Sequence, residues 1–150
     1  MVARIRKKSL EELDLHTITQ IVLSPEEQER FAEGVALFNA RKFWDAHEAW
    51  EEIWQSHPED GRFFIQGLIQ LAAAYHQLQR KIYRGFAIHL ERAQNRLALF
   101  PDIFLGINVK ALRESVDFWL HEIKQLDTSA EANFSGASVP KIELLQRSGR

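Results

Sequence analysis

The stretch Phe43–Trp54 reads FWDAHEAWEEIW, and its spacing decides the fold. At about 100° per residue, Phe43, Ala46, Trp50, Ile53 and Trp54 fall on one face of a helix. His47 shares that face and Glu51 lies one turn further along, at its edge, while Asp45, Glu48 and Glu52 turn the other way. Large aromatic area on one side and carboxylates on the other make an amphipathic helix that must bury its apolar stripe. The segment that follows, Phe63–Gln79, runs 17 residues without a charge. Apart from a strip of Gln66, Gln70 and Gln77 it is apolar nearly all round, which places it in the middle of a bundle. Its four Gln and one His make it a buried helix rather than a membrane span.

Working outward, Ser24-Pro25-Glu26-Glu27 is a helix start, with Ser24 as cap, Pro25 at the first helical position and Glu27 as the capping-box carboxylate. The first helix is predicted to run to Asn39 with Phe31, Val35 and Phe38 inward, and Arg41-Lys42 to form the turn. The second ends before Pro58, and Asp60-Gly61 opens the third, which runs to Arg80. A fourth is expected over Tyr83–Phe100, with Phe86, Leu90, Ala93 and Leu97 inward and Pro101 as its stop. After an apolar loop, Ile103–Ile107, Asn108 caps a fifth helix that presents Leu112, Val116, Trp119, Ile123 and Leu126.

The expected architecture is all-α, a compact bundle of about five helices. Small residues at the crossings, Gly34 and Gly67, and an offset of about 39 to 41 residues suggest two tetratricopeptide-like helical hairpins plus a C-terminal helix. Two hairpins fall short of a solenoid. Residues 1–23 read as an N-terminal tail carrying Arg4, Arg6, Lys7 and Lys8, residues 24–126 as the bundle, and residues 127–150 as a flexible C-terminal tail. Within that tail, residues 127–139 are small and polar, and Pro140–Leu145 (PKIELL) either docks back on the body or stays free.

Composition narrows the chemistry. No Cys means no disulfide, no thiolate catalysis and no Cys-ligated metal. A net charge of −2 gives no reason to expect nucleic acid. Leu10–Leu15 is too short and too acidic for a signal-peptide apolar region, so a soluble, cytoplasmic protein with no membrane partner is expected.

His47-Glu48 has the form of half a helical metalloprotease motif, but Glu51 stands where the second His belongs. His47 and Glu51 have the spacing of two metal ligands, as in di-iron bundles, yet no second Glu-x-x-His is present. The leading reading is therefore a structural network: His47, Glu51, Gln66 and Gln70 hydrogen-bonded so as to hold the second and third helices in register, with no cofactor. The alternative is a small polar ligand site or a metal-dependent enzyme built from the same four residues. Asp45 and Glu48 belong to the motif but face away, and His76, near Ile65, Ile69 and Ala72, reads as a satisfied core residue. His89 and His121 read as surface residues, His57 as a loop residue, and His16 as part of the tail. Every serine lies in a tail, at a helix boundary or, as Ser115, on the fifth helix, so a nucleophilic triad has no support. Trp44 on the side of the second helix and Phe118 on the outer side of the fifth mark a possible contact surface for a protein partner or a second copy.

One combination is longer than any single motif. Gly34-x-x-Leu37-Phe38-Asn39, Phe43-Trp44-Asp45-Ala46-His47-Glu48, Trp50-Glu51 and Trp54 precede Phe64-Ile65-Gln66-Gly67-Leu68-Ile69-Gln70-Leu71-Ala72-Ala73. This run, from Phe31 to Pro101, resembles the bacterial and archaeal family called domain of unknown function 309. The resemblance implies an all-helical bundle of a family without an established biochemical function. It also implies a shared site, or a shared structural lock, at Asp45, His47, Glu48, Glu51, Gln66, Gly67 and Gln70. A non-enzymatic scaffold or interaction module is the function these readings favour.

Overall fold

The capping box read from the sequence begins the first helix. Ser24 Oγ accepts the Glu27 N–H at 3.1 Å, and the Glu27 carboxylate accepts the Ser24 N–H at 3.0 Å. The bond from the Ser24 backbone holds that carboxyl below its usual pKa. Glu27 also lies 3.0 Å from Nε2 of His57, fastening the start of the first helix to the end of the second. His57, read as a loop residue, is thereby buried.

The computed structural model describes residues 21–57, 60–125 and 139–145. It contains α1 (Pro25–Asn39), α2 (Phe43–Gln55), α3 (Arg62–Gln79), α4 (Tyr83–Leu97) and α5 (Val109–Gln125), with a two-stranded antiparallel hairpin, β1 (Ile103–Phe104) and β2 (Ile107–Asn108), before α5. The expected all-α bundle of five helices is the fold found. α3 lies between α2 and α4, α1 packs on α2, and α5 on α4. None of the described helices is long and apolar enough to cross a membrane.

The two helical hairpins turn in the same way. After α1, Arg41 takes φ 65°, and the Arg41 and Lys42 N–H groups donate to Phe38 O and Leu37 O. After α3, Lys81 takes φ 61°, and the Lys81 and Ile82 N–H groups donate to Leu78 O and Gln77 O. Each is a left-handed residue with a paired 6→1 and 5→2 closure, the Schellman arrangement, and the two lie 81 − 41 = 40 residues apart.

The core is aromatic. Tyr75 on α3 sits with its ring centre 5.9 Å from Phe38, 5.6 Å from Phe43 and 5.7 Å from Phe86. Its buried hydroxyl lies near Ser115 of α5 without a hydrogen-bond partner among the described residues, and burial pushes the phenol pKa up. Trp50 is fully buried against Gly34, where an added Cβ would come within 2.3 Å of its Nε1. The inward face of α4 is Phe86, Leu90, Ala93 and Leu97, as read. Asn108 caps α5 by accepting the Ala111 N–H at 3.1 Å.

Three boundaries differ from the sequence reading. α4 stops at Leu97 rather than Phe100. The apolar loop 103–107 is the β1–β2 hairpin, because Leu105 (φ 49°) and Gly106 (φ 75°) supply the two positive φ angles of a tight hairpin turn. Ile21 and Leu23, in the stretch read as tail, are buried in the core. Of the two fates left open for PKIELL, docking is the one observed. Ile142 is buried, and Leu144 bridges Ile107. The basic residues Arg4, Arg6, Lys7 and Lys8, His16, the small-residue stretch 127–138, and Leu126 lie outside the described residues.

Candidate functional site

Packed on both flanks, α3 has little surface left. Between Arg62 and Tyr75 only Gln66, Gln70 and Ala73 escape full burial. Their spacing of four and three residues draws one line along the helix. His76 and Gln77, also half-buried, extend it. α2 borders this line with Trp44, His47 and Glu51, and α4 borders it with His89, Arg92 and Arg96.

The glutamines do not reach across to α2. Gln66 Oε1 accepts from Arg96 Nε at 2.7 Å, and Gln70 Oε1 lies 2.8 Å from His89 Nδ1. A carbonyl oxygen only accepts, so that second contact puts the His89 proton on Nδ1. Both bonds tie α3 to α4. The sequence reading assigned these amides to His47 and Glu51. The wheel identifies the polar line correctly, but α4 borders the same line, and its long side chains are the ones that reach it. Both carbonyls being engaged, the two amide NH2 groups are the donors that remain. They have no partner among the described residues.

His47 stands apart from this pairing. Its ring stacks on Trp44 at 4.7 Å between centres and 11° between planes, and Trp44 also lies 5.4 Å from the His76 ring. His47 Nε2 is 3.8 Å from the Glu51 carboxylate, too far for a hydrogen bond. Its Nδ1 is buried with no hydrogen-bond partner among the described residues. An orphan of this kind costs on the order of 1–3 kcal/mol and calls for an explanation.

The electrostatics are those of a cation-rich face. Burial, then Arg80 and His47, pulls the His76 pKa below its usual value. Burial, then Arg92 and His47, does the same to His89. Arg96 is likewise lowered, by burial and by Arg92. The three imidazoles come from three different helices, and His47 lies close enough to both His76 and His89 to disfavour their charge. Among the described residues no group of three or more His, Asp or Glu side chains is close enough to hold a metal ion.

The other motif residues go elsewhere. Asp45 and Glu48 are exposed, and Glu52 pairs with Arg30 of α1, whose Nε donates to it at 3.1 Å. Glu48, Glu51 and Glu52 line a shallow depression of about 260 Å³ with Arg30 and Gln55. None of three depressions on the described surface is lined by more than one of His47, Glu51, Gln66 and Gln70. His47, Gln66, Gln70, Ala73 and His76 are each partly exposed along this face.

Two of its members, His89 and Arg96, were missed as participants. They lie seven residues apart on the margin of α4, the same side of the helix on successive double turns, and the antiparallel α3 offers Gln70 and Gln66 to meet them. That spacing was the available signal. No hydroxyl or thiol stands among the side chains of this face, so it offers donors and imidazoles rather than a nucleophile and its base.

Residues 31–89 match the family described as Domain of unknown function (DUF309). The match spans 89 − 31 + 1 = 59 of 150 residues, from Phe31 on α1 to His89 on α4. It therefore encloses His47, Glu51, Gln66, Gln70 and His76, and it leaves out Arg92 and Arg96. The resemblance drawn from the sequence holds over this range. No curated protein matches the chain.

Proposed function

Proceeding from the membership of residues 31–89 in this family, we propose that the chain is a non-enzymatic interaction module that binds an acidic, extended peptide along the strip of α3. One observation carries the reading: Gln66 and Gln70, both partly exposed, have their carbonyls engaged by Arg96 and His89, which leaves two amide donors one turn apart. The ligand that satisfies an array of donors is rich in acceptors. The surrounding Arg80, Arg92 and Arg96 favour a negative one.

Length and shape agree with a peptide. Gln66 to His76 spans roughly 15 Å of helix, the reach of four or five extended residues. The strip is partly exposed along its length, and Ala73 in the middle lets a backbone come close. A single small molecule would be expected to have a pocket reached by several of the four residues, and none of the three depressions provides it.

Binding is expected to take up protons. His76 and His89 are neutral more readily than usual in the free protein, because burial and the neighbouring cations disfavour their charge. A carboxylate beside them raises both pKa values again. Affinity then grows as pH falls through and below the ordinary histidine range, from about pH 7 to about pH 5.5. Arg80 at the end of α3, His47 and Glu51 on α2, and Arg92 and Arg96 on α4 set the field in which they titrate.

The test is fluorescence anisotropy of a labelled hexaglutamate peptide, with hexaserine as control. Hexaglutamate should bind, more tightly at pH 5.5 than at pH 7. Gln70→Glu keeps an oxygen to accept from His89 but replaces the remaining donor with a carboxylate, and it should weaken binding at least tenfold. Lys110→Gln, on α5, changes the net charge equally and should have a much smaller effect. If the two variants weaken binding alike, or hexaserine binds as well, the reading is wrong.

A further inference from the structure

Residues 139–145 are held to the body by their backbone and by one side chain. Asn39, the last residue of α1, donates its Nδ2–H to Ile142 O at 2.9 Å and accepts the Ile142 N–H at 2.7 Å. One side chain thus does for Ile142 what a neighbouring strand would do. Leu145 N–H donates to Gly106 O at 2.6 Å, and Leu144 forms an antiparallel bridge with Ile107, so the segment adds itself to the edge of β2. Ile142 is 3% exposed, while Lys141, Glu143, Leu144 and Leu145 all face outward. The seat therefore recognises an extended backbone with one aliphatic plug, and none of its contacts depends on which chain supplies them.

The rest of the geometry bears on who supplies them. α5 ends at Gln125 and the seated segment starts at Val139, so residues 126–138, 13 in number, join them. Thirteen residues reach at most about 45 Å, enough for the chain's own seat or a neighbour's. Beside the seat runs a depression of about 650 Å³ whose lining mixes polar and apolar surface, with Val22, Gln28, Phe31, Leu105, Leu144 and Leu145 among its residues and Val22 85% exposed. A second copy exchanging its segment must lie against this surface, and would cover it.

We propose that the seat formed by Asn39 and the edge of β2 is a binding site for residues 139–145 of a second copy, exchanged between two chains. It is independent of the α3 strip, which lies on other elements. Exchange replaces each internal contact by the same contact across copies, so the pairing adds the contact over this mixed surface and loses no hydrogen bond.

The full-length chain tests this. Its mass by light scattering should rise from monomer to dimer with concentration, and Ile142→Asp, which puts a charge where the plug sits, should remain monomeric. A fluorescein-labelled peptide of residues 139–145 should bind Ile142→Asp at least tenfold more tightly than it binds Asn39→Ala/Ile142→Asp. Should Ile142→Asp fail to fold, Ile142→Ala replaces it in both measurements. A wild-type chain that stays monomeric up to millimolar concentration overturns the proposal. So does a dimer that survives loss of the plug, or peptide binding indifferent to Asn39.

Discussion

The two helical hairpins share a turn and differ in how they close. α1 and α2 meet through Trp50 lying on Gly34, an apolar contact finished by one buried bond from Trp50 Nε1 to Phe31 O at 3.2 Å. α3 and α4 also close over a glycine, Gly67, against Leu97. Yet along their accessible edge they are joined by Gln66–Arg96 and Gln70–His89. The first interface has no slack, because a rigid indole fills it. The second is held by flexible, partly exposed polar side chains. One hairpin frames the fold, and the other carries the face that can recognise something.

Substitutions at matched places separate the two. Gly34→Ala drives a Cβ to 2.3 Å from Trp50 Nε1, where neither the ring nor the helix can give easily. It should cost about 3 kcal/mol, lowering the melting temperature by roughly 10 °C. Gly34→Ala/Trp50→Phe, which removes the offending edge of the indole, should recover part of the loss; no recovery would show that the constraint lies elsewhere. In the second hairpin, Gln66→Ala and Gln70→Ala each remove one half-buried bond. Each should cost about 1 kcal/mol, or 2–4 °C by the same measurement. A loss as large as that of Gly34→Ala would make these glutamines a structural lock after all. Smallest is Gly85→Ala on α4. There the new Cβ meets only the movable Gln77 side chain at 3.2 Å, and alanine favours the helix. Its expected shift is within about 0.5 kcal/mol of zero, and a clear loss would mean that the second hairpin is as tightly closed as the first.

The same contrast explains what was legible in the sequence. Periodicity is a property of one helix, so it identified the face of α2, the inward residues of α4 and the polar line of α3. Caps are also local, and Ser24 and Asn108 were readable for that reason. Which neighbour borders a polar line depends on how three helices pack, and no wheel contains that. Hence Gln66 and Gln70 were assigned to α2 and are found tied to α4. His57 lies in the loop after α2, as read, but its burial was not legible because its partner, Glu27, is 30 residues away in the sequence. Arg41-Lys42 was readable as a turn, but the left-handed conformation of Arg41 and Lys81 was not, since neither is the glycine that usually marks such a helix end. The pairing of Asn39 with Ile142, 103 residues apart, left no local trace.

Tyr75 sits where all five helices converge. Its ring touches Phe38 of α1, Phe43 of α2 and Phe86 of α4, and its hydroxyl lies near Ser115 of α5. The consequence is cooperative. A hairpin that came loose would abandon the one ring on which the other hairpin and α5 are also packed. Although the turns repeat, the bundle is therefore a single folding unit, unlike an array whose modules melt one by one.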